Sequence, residues 1–109
     1  MINRQLRLAR RPEGRVSLDD FVLEESPPPE PANGAVLART LFLSVDPTNR
    51  VWMKDVPQYM PPVAIGEVMR SGGLAEVVDS RIEGYAAGDL VFGMTGWQDY
   101  SLLRPGGPL

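Results

Sequence analysis

Hydrophobic and polar residues alternate along this chain of 109 residues in short stretches rather than in long periodic runs. A period of two is typical of half-buried β-strands, and compact apolar runs indicate more deeply buried ones. The longest apolar-rich run, residues 35–45, is predicted to be the central strand. The complete set of predicted strands is 5–9, 21–25, 35–45, 65–70, 74–79, 90–93 and 97–103.

Eleven glycines and eleven prolines separate these stretches. Turns are predicted at Arg11–Gly14 and at Asn33–Gly34, because proline fixes φ and glycine permits a positive φ. The proline-rich stretch 26–31 is predicted to be a stiff, extended connector rather than a P-x-x-P recognition motif. Short strands with almost no helix indicate a small β-barrel or sandwich. Further glycines suited to its bends are Gly66, Gly72, Gly73, Gly84, Gly88, Gly93 and Gly96.

One short helix is predicted directly after the long apolar run. Asp46 has the acceptor side chain that is preferred at a helix N-cap, and Pro47 suits the first helical position. Arg50 is expected to orient this cap. Because prolines recur at positions 57, 61 and 62, the helix is limited to a turn or two.

The composition restricts the available chemistry. The chain has no histidine and no cysteine, which excludes a Ser-His-Asp triad, a Cys-His dyad and a His-based zinc site within these residues. A net charge of −3 makes nucleic acid an unfavourable partner. We expect one folded domain in the cytoplasm, without a membrane span or signal peptide. The arginines of the first fifteen residues are interpreted as a solvated strand face with an Arg-rich turn, rather than as a basic arm.

Four motifs occur in order along the chain: SVDPTNR at 44–50, PPVAIGEVMRSGG at 61–73, AAGDLVFG at 86–93 and GWQDYSLL at 96–103. Together they resemble the amino-terminal domain of zinc-independent medium-chain reductases of the prostaglandin reductase, alkenal double-bond reductase and curcumin reductase type. The resemblance implies a mainly β, GroES-like small barrel with one or two short helical turns. It also implies a following Rossmann domain that holds NADPH, with the substrate in the cleft between the two domains.

The resemblance implies an NADP-dependent reductase that reduces the C=C bond of α,β-unsaturated ketones or aldehydes, acting as a homodimer. This chain lacks a G-x-G-x-x-G fingerprint. We therefore expect it to bind no NADPH measurably and to be inactive alone. The alternative is a non-catalytic binding or oligomerisation module with the same barrel. The DPxxR and GWQDY elements favour the reductase.

The same resemblance suggests site residues. Zinc-dependent relatives have metal-binding Cys and His residues where this chain has Val45-Asp46 and Gly66-Glu67-Val68, so we expect no bound metal. The family usually reads Asp-Pro-Tyr-Met-Arg where this chain has Asp46-Pro47-Thr48-Asn49-Arg50, which implies a wider and wetter pocket. No catalytic residue is assigned. The predicted substrate contacts are Thr48 and Tyr59, with a rim tyrosine as the alternative for the latter, and the predicted cofactor contacts are Pro47 and Asn49.

The segment 46–63 is expected to be the least ordered internal part of the chain, because it would line the interdomain cleft. The residues Trp52, Met53, Val56, Tyr59 and Met60 would then lie close to the surface. The competing possibility is that Trp52 folds back onto the barrel and fixes the segment. In either case, Trp52, Trp97 and Tyr100 are interpreted as packing residues rather than as catalytic ones.

Overall fold

The computed structural model describes residues 2–56, 58 and 60–104. Within them, six strands and two short helical elements confirm the predicted mainly β fold. The strands are β1 Asn3–Leu8, β2 Phe21–Ser26, β3 Val36–Leu43, β4 Gly73–Ser80, β5 Leu90–Gly93 and β6 Tyr100–Leu103. The helical elements are α1 Pro47–Trp52 and a 3-10 turn at Leu18–Asp20. No helix in the described part of the chain has both the length and the apolar character needed to span a bilayer.

The strands form two antiparallel sheets. One pairs β1 with β2, and the other has the order β5-β4-β3-β6. Strand β3, the predicted central strand, pairs with β4 along its whole length and with β6 over its first four residues. Two register shifts interrupt the β3–β4 ladder, one between Leu37 and Ala38 and one between Thr40 and Phe42. Such bulges increase the local twist and bend the strand, which helps a small sheet to curve.

Backbone hydrogen bonds join the two sheets into one curved wall. On the edge of β1 opposite β2, Leu6 N donates to Trp97 O at 2.9 Å and Arg4 O accepts from Asp99 N at 3.1 Å. Asp99 O in turn accepts from Thr40 N of β3 at 2.7 Å. Residues 97–99 lead directly into β6, so the wall continues from β2 to β5. This arrangement is the barrel-like fold that the turn-rich sequence indicated.

The prediction of a strand at residues 65–70 is wrong. Residues 65 and 66 form a turn, with Gly66 at a φ of 92°, and only Val68 makes an isolated bridge, to Arg7. The segment still contacts β1, because Leu8 N donates to Glu67 O and Met69 N donates to Leu6 O, both at 2.9 Å. The turn at Gly66 leaves too few consecutive paired residues for a strand. Alternation alone therefore overestimated the regular structure.

Gly73 does not lie at a bend, as the sequence indicated, but is the first residue of β4. An added Cβ at Gly73 would collide with Thr95 Oγ1 and would lie 2.9 Å from Phe42 O. Glycine is thus required there by the close approach of two neighbouring segments rather than by a positive φ. By contrast, Gly14 and Gly34 do have positive φ values, of 73° and 74°, in the two predicted turns.

A hydrophobic core lies beneath β1 and α1. Trp52 and Met53 belong to it, with exposed fractions of 7% and 2%. The expectation that these two residues lie near the surface is therefore wrong, and Trp52 folds back onto the barrel. The Phe21 and Trp97 rings pack beside this core with their centroids 5.5 Å apart. The buried members of the cluster are Leu8, Trp52, Met53, Val63 and Met69.

Candidate functional site

Helix α1 begins as its sequence predicts. Asp46 Oδ1 accepts from Thr48 N at 2.8 Å, and Asp46 N donates to Asn49 Oδ1 at 2.8 Å, which together form a reciprocal cap. Ser44 Oγ donates to Asp46 Oδ2 at 3.0 Å. The hydrogen bond from the Ser44 hydroxyl has the largest effect in lowering the pKa of Asp46, and the bond from Thr48 N lowers it further. The carboxylate is therefore an ionised cap at neutral pH, which confirms the predicted N-cap.

Asn49 is largely occupied within the chain. Its side chain is 4% exposed; Oδ1 accepts from Asp46 N, and Nδ2 donates to Arg70 O at 3.1 Å. The Oδ1 bond therefore caps the start of α1, and the Nδ2 bond holds this turn against the chain that leads to β4. A cofactor contact by Asn49 stays a prediction, and it would have to coexist with these two hydrogen bonds.

The remaining predicted site residues divide into two groups. Pro47 and Thr48 lie next to Asn49 on the first turn of α1. Pro47 is exposed, and Thr48 is half-buried. The structure thus brings three of the four predicted residues together. The fourth, Tyr59, lies outside the described residues. Their predicted roles toward substrate and cofactor stay predictions.

The segment that follows α1, which we call the 53–63 loop, has a closed base. Val63 N donates to Trp52 O at 2.9 Å, which brings the two ends of the loop together. Within the loop, Gln58 Nε2 lies 3.1–3.3 Å from three backbone oxygens, those of Val51, Lys54 and Val56. These contacts join Gln58 to the end of α1 and to the first part of the loop without a strand ladder.

Two arginines connect this region with the Arg11–Gly14 turn. Arg11 Nη1 donates to Met53 O at 2.9 Å and to Val63 O at 2.8 Å. Arg50 Nη2 donates to Gly14 O at 3.1 Å and to Pro12 O at 3.4 Å. Arg50 therefore holds the turn and does not contact the helix cap through these bonds, which corrects the role expected for it. No motif in the sequence pointed to either contact.

Next to this turn lies a buried carboxylate that the sequence did not reveal. Asp20 is 2% exposed; it accepts from Ser17 N and from Arg10 Nε, both at 2.8 Å. The hydrogen bond from Ser17 N has the largest effect in lowering the pKa of Asp20, and the bond from the Arg10 guanidinium lowers it further. The carboxylate is therefore charged and paired, which favours a structural role. A cavity of about 540 Å³ lies here, and its lining consists of Arg10, Arg11, Glu13, Arg15, Ser17 and Asp20.

A second cavity, of about 410 Å³ and open to solvent, is lined by residues of both sheets. Pro47, Thr48 and Asn49 line neither cavity. Across residues 2–56, 58 and 60–104, no group of three His, Cys, Asp or Glu side chains is placed to hold a metal ion. The residues that line the second cavity are Arg4, Leu6, Leu23, Thr40, Leu41, Leu43, Trp97, Gln98 and Asp99.

Comparison with known proteins defines the family. A family model described as the N-terminal domain of oxidoreductase matches residues 4–108. The chain therefore belongs to this family of N-terminal oxidoreductase domains, as the four sequence motifs predicted.

Individual relatives agree with this assignment. The chain is 47% identical, over 92% of its length, to the NADPH-dependent curcumin reductase of Escherichia coli. The crystal structure of CurA from Vibrio vulnificus matches with a TM-score of 0.91 and 42% identity over 97% of the chain. The NADPH complex of the same protein matches with a TM-score of 0.89 and 40% identity over 96% of the chain. The chain spans 29% of the length of the Escherichia coli relative and 31% of the CurA chain in each crystal structure.

Proposed function

We propose that this chain is the substrate-side domain of an NADPH-dependent reductase that reduces the C=C bond of α,β-unsaturated ketones or aldehydes. The observation that carries the proposal is the 47% identity, over 92% of the chain, to an NADPH-dependent curcumin reductase. The likeness to a structure determined with NADPH supports the choice of cofactor. The alternative, a non-catalytic module with the same barrel, has no comparable support.

We assign the tasks of the reaction to this domain and to a cofactor-binding domain that would follow it in the full-length protein. When bound, NADPH supplies the hydride. This chain has no G-x-G-x-x-G fingerprint, so the second domain would provide most of the cofactor contacts. The substrate would bind in the cleft between the domains. A homodimer, a cytoplasmic location and a reaction without zinc belong to the same proposal, and the sequence and its family resemblance support them.

Within this domain, we assign the first turn of α1 and the 53–63 loop to the cleft. Thr48 and Tyr59 would contact the substrate, while Pro47 and Asn49 would face the cofactor. The support is that Pro47 is exposed and that the cap formed by Asp46 holds this turn rigidly. Preorganised contacts of this kind orient a substrate for hydride transfer.

The experiment is to incubate the full-length protein with NADPH and a panel of enones, and to identify the products by mass spectrometry. We expect NADPH oxidation that depends on the enone, and a product heavier by two hydrogen atoms with its carbonyl intact. Saturated ketones of matched size are the control. Reduction of the carbonyl, or no turnover of any enone, would contradict the proposal. Stoichiometric zinc by elemental analysis would contradict the metal-free part alone.

A further inference from the structure

We propose that Arg11 is a positioning residue for the substrate, and that Arg11 and Arg50 act as a reciprocal clamp on the 53–63 loop. The inference rests on the proposed function, because the loop is assigned to the substrate cleft. It concerns two side chains for which the sequence motifs predicted other roles: a solvated turn for Arg11 and a cap contact for Arg50.

Arg11 contacts both ends of the loop with a single nitrogen. Its Nη1 lies 2.9 Å from Met53 O and 2.8 Å from Val63 O, the first and last residues of the loop. The backbone bond from Val63 N to Trp52 O lies beside these contacts. Three hydrogen bonds therefore close the loop at its base, and two of them come from one side chain that lies 42 and 52 residues away from its acceptors in sequence.

Arg50 completes the clamp from the opposite direction. It extends from α1 and donates to Pro12 O and Gly14 O, on the turn that contains Arg11. The turn thus holds the loop through Arg11, and the helix that precedes the loop holds the turn through Arg50. Because each segment supplies a guanidinium to the carbonyl oxygens of the other, neither can shift without breaking bonds on both sides.

The chemistry of the clamp requires arginine. A guanidinium presents several N–H donors in a planar fork and stays charged at any physiological pH, and hydrogen bonds from charged donors are stronger than those between neutral groups. A lysine ammonium keeps the charge but is more compact and more strongly hydrated, so it is a poor replacement at a half-buried site that contacts two carbonyls. The base of the loop therefore depends on side-chain chemistry as well as on backbone pairing.

The loop is also held from within the core. Trp52, Met53 and Val63 at its base are buried, and the Arg70 guanidinium lies 5.2 Å from the centroid of the Trp52 ring. The base is consequently rigid, whereas Val56 near the tip is 45% exposed. A rigid base with an exposed tip is the arrangement needed to present loop side chains to a ligand in a defined position.

The test uses the full-length protein with Arg11→Met, which keeps a long side chain but removes all donors. The matched control is Arg15→Met, because Arg15 lies just beyond the same turn, is exposed, and takes no part in the bonds at the base of the loop. We expect Arg11→Met to raise KM for the enone by about tenfold while kcat changes by less than about twofold. KM for NADPH should change by less than about twofold, because the cofactor is held mainly by the other domain. Arg11→Lys should give an intermediate KM, whereas a purely global loss of stability would lower the active fraction and therefore the apparent kcat.

Hydrogen exchange of residues 54–62 provides a readout that does not depend on activity. Arg11→Met should increase the rate of exchange there, and Arg15→Met should not. If wild-type protein turns over no enone, the proposed function fails, and the clamp is judged from the exchange rates alone. Unchanged exchange in Arg11→Met would overturn the clamp, and faster exchange with an unchanged enone KM would overturn the positioning role. If Arg11→Met does not fold, Arg11→Lys serves for both measurements; we then expect a smaller rise in the enone KM and a smaller rise in exchange, each still above Arg15→Met, and values equal to Arg15→Met would overturn the proposal.

Discussion

The two halves of strand β3 are both rich in apolar residues and have opposite environments. In the first half, Val36, Leu37 and Ala38 are between 0% and 6% exposed. In the second half, Leu41, Phe42 and Leu43 are between 38% and 69% exposed. The first half pairs with β4 on one side and with β6 on the other, whereas the second half pairs with β4 only. The packing of neighbouring segments, rather than the hydrophobicity of the run, decides which part of the strand belongs to the core.

The exposed half belongs to a wider apolar surface. Phe42 pairs with Leu74 of β4, which pairs with Phe92 of β5, so these three residues lie in one row across the sheet. Directly paired residues place their side chains on the same face. Phe42 and Phe92 are 69% and 64% exposed, which shows that nothing in the described residues covers them. The two phenylalanine rings therefore contribute little to the stability of this domain.

The sharpest test of this comparison uses two leucines of the same strand. We expect Leu37→Ala to lower the free energy of unfolding by about 2–5 kcal/mol, because it removes a buried side chain and leaves a cavity. Leu43→Ala should cost less than about 1 kcal/mol, since 41% of that residue is already exposed. Urea unfolding of both variants measures the difference. Equal losses would show that the two halves are equally buried in solution.

The start of β4 provides the next test, because it packs against the exposed half of β3. Gly73→Ala should cost about 1–3 kcal/mol, since the new methyl group would approach the backbone at Phe42 O and the Thr95 side chain. Gly72→Ala is the control. There the added Cβ would meet only the exposed ring of Phe92, at 2.9 Å from its Cζ, and that ring can move away. An equal loss in both variants, measured by thermal unfolding, would argue against a backbone constraint at Gly73.

Local features of this fold could be predicted from the sequence. The N-cap at Asp46, the proline in the first turn of α1 and the glycine turns at positions 14 and 34 all follow from the conformational preferences of single residues. The strands other than 65–70 were placed to within a few residues, because alternation is a local signal. The family was likewise predictable, because four motifs occur in a fixed order.

Other features depend on contacts between distant segments, and the sequence did not predict them. Nothing local distinguishes Leu37 from Leu43, or indicates that Trp52 folds back into the core. The hydrogen bonds of Arg11 join a turn to backbone carbonyls far along the chain, and a backbone carbonyl has no sequence signature. The burial of Asp20 depends in the same way on the position of Arg10. The predicted roles of Pro47, Thr48, Asn49 and Tyr59 stay predictions.

Just beyond the exposed end of β3, the cap of α1 provides a smaller and pH-dependent test. We expect Asp46→Ala to lower the unfolding midpoint at neutral pH, because it removes acceptors for Thr48 N and Ser44 Oγ. The pKa of Asp46 is lowered in the folded protein. The stabilisation is thus fully present above the unfolded pKa of about 4, and it is lost as the pH falls through the lower folded pKa. The difference between wild type and variant should therefore shrink in acid, and a difference that stays constant with pH would contradict the role of the Asp46 carboxylate.

The smallest expected effect concerns Phe42 and Phe92, the two exposed rings of this row. We expect Phe42→Ser and Phe92→Ser each to change the free energy of unfolding by no more than about 0.5 kcal/mol, a typical value for surface substitutions, because both rings are already largely in water. Part of even that small loss would come from the lower strand preference of serine. Val77→Ser, on the buried face of β4, is the contrasting variant and should be clearly destabilising, because Val77 is 1% exposed. Urea unfolding of the three variants measures these changes in the free energy of unfolding. If the two phenylalanine variants lose as much stability as Val77→Ser, then the second half of β3 is covered within this chain and the contrast between its halves does not hold.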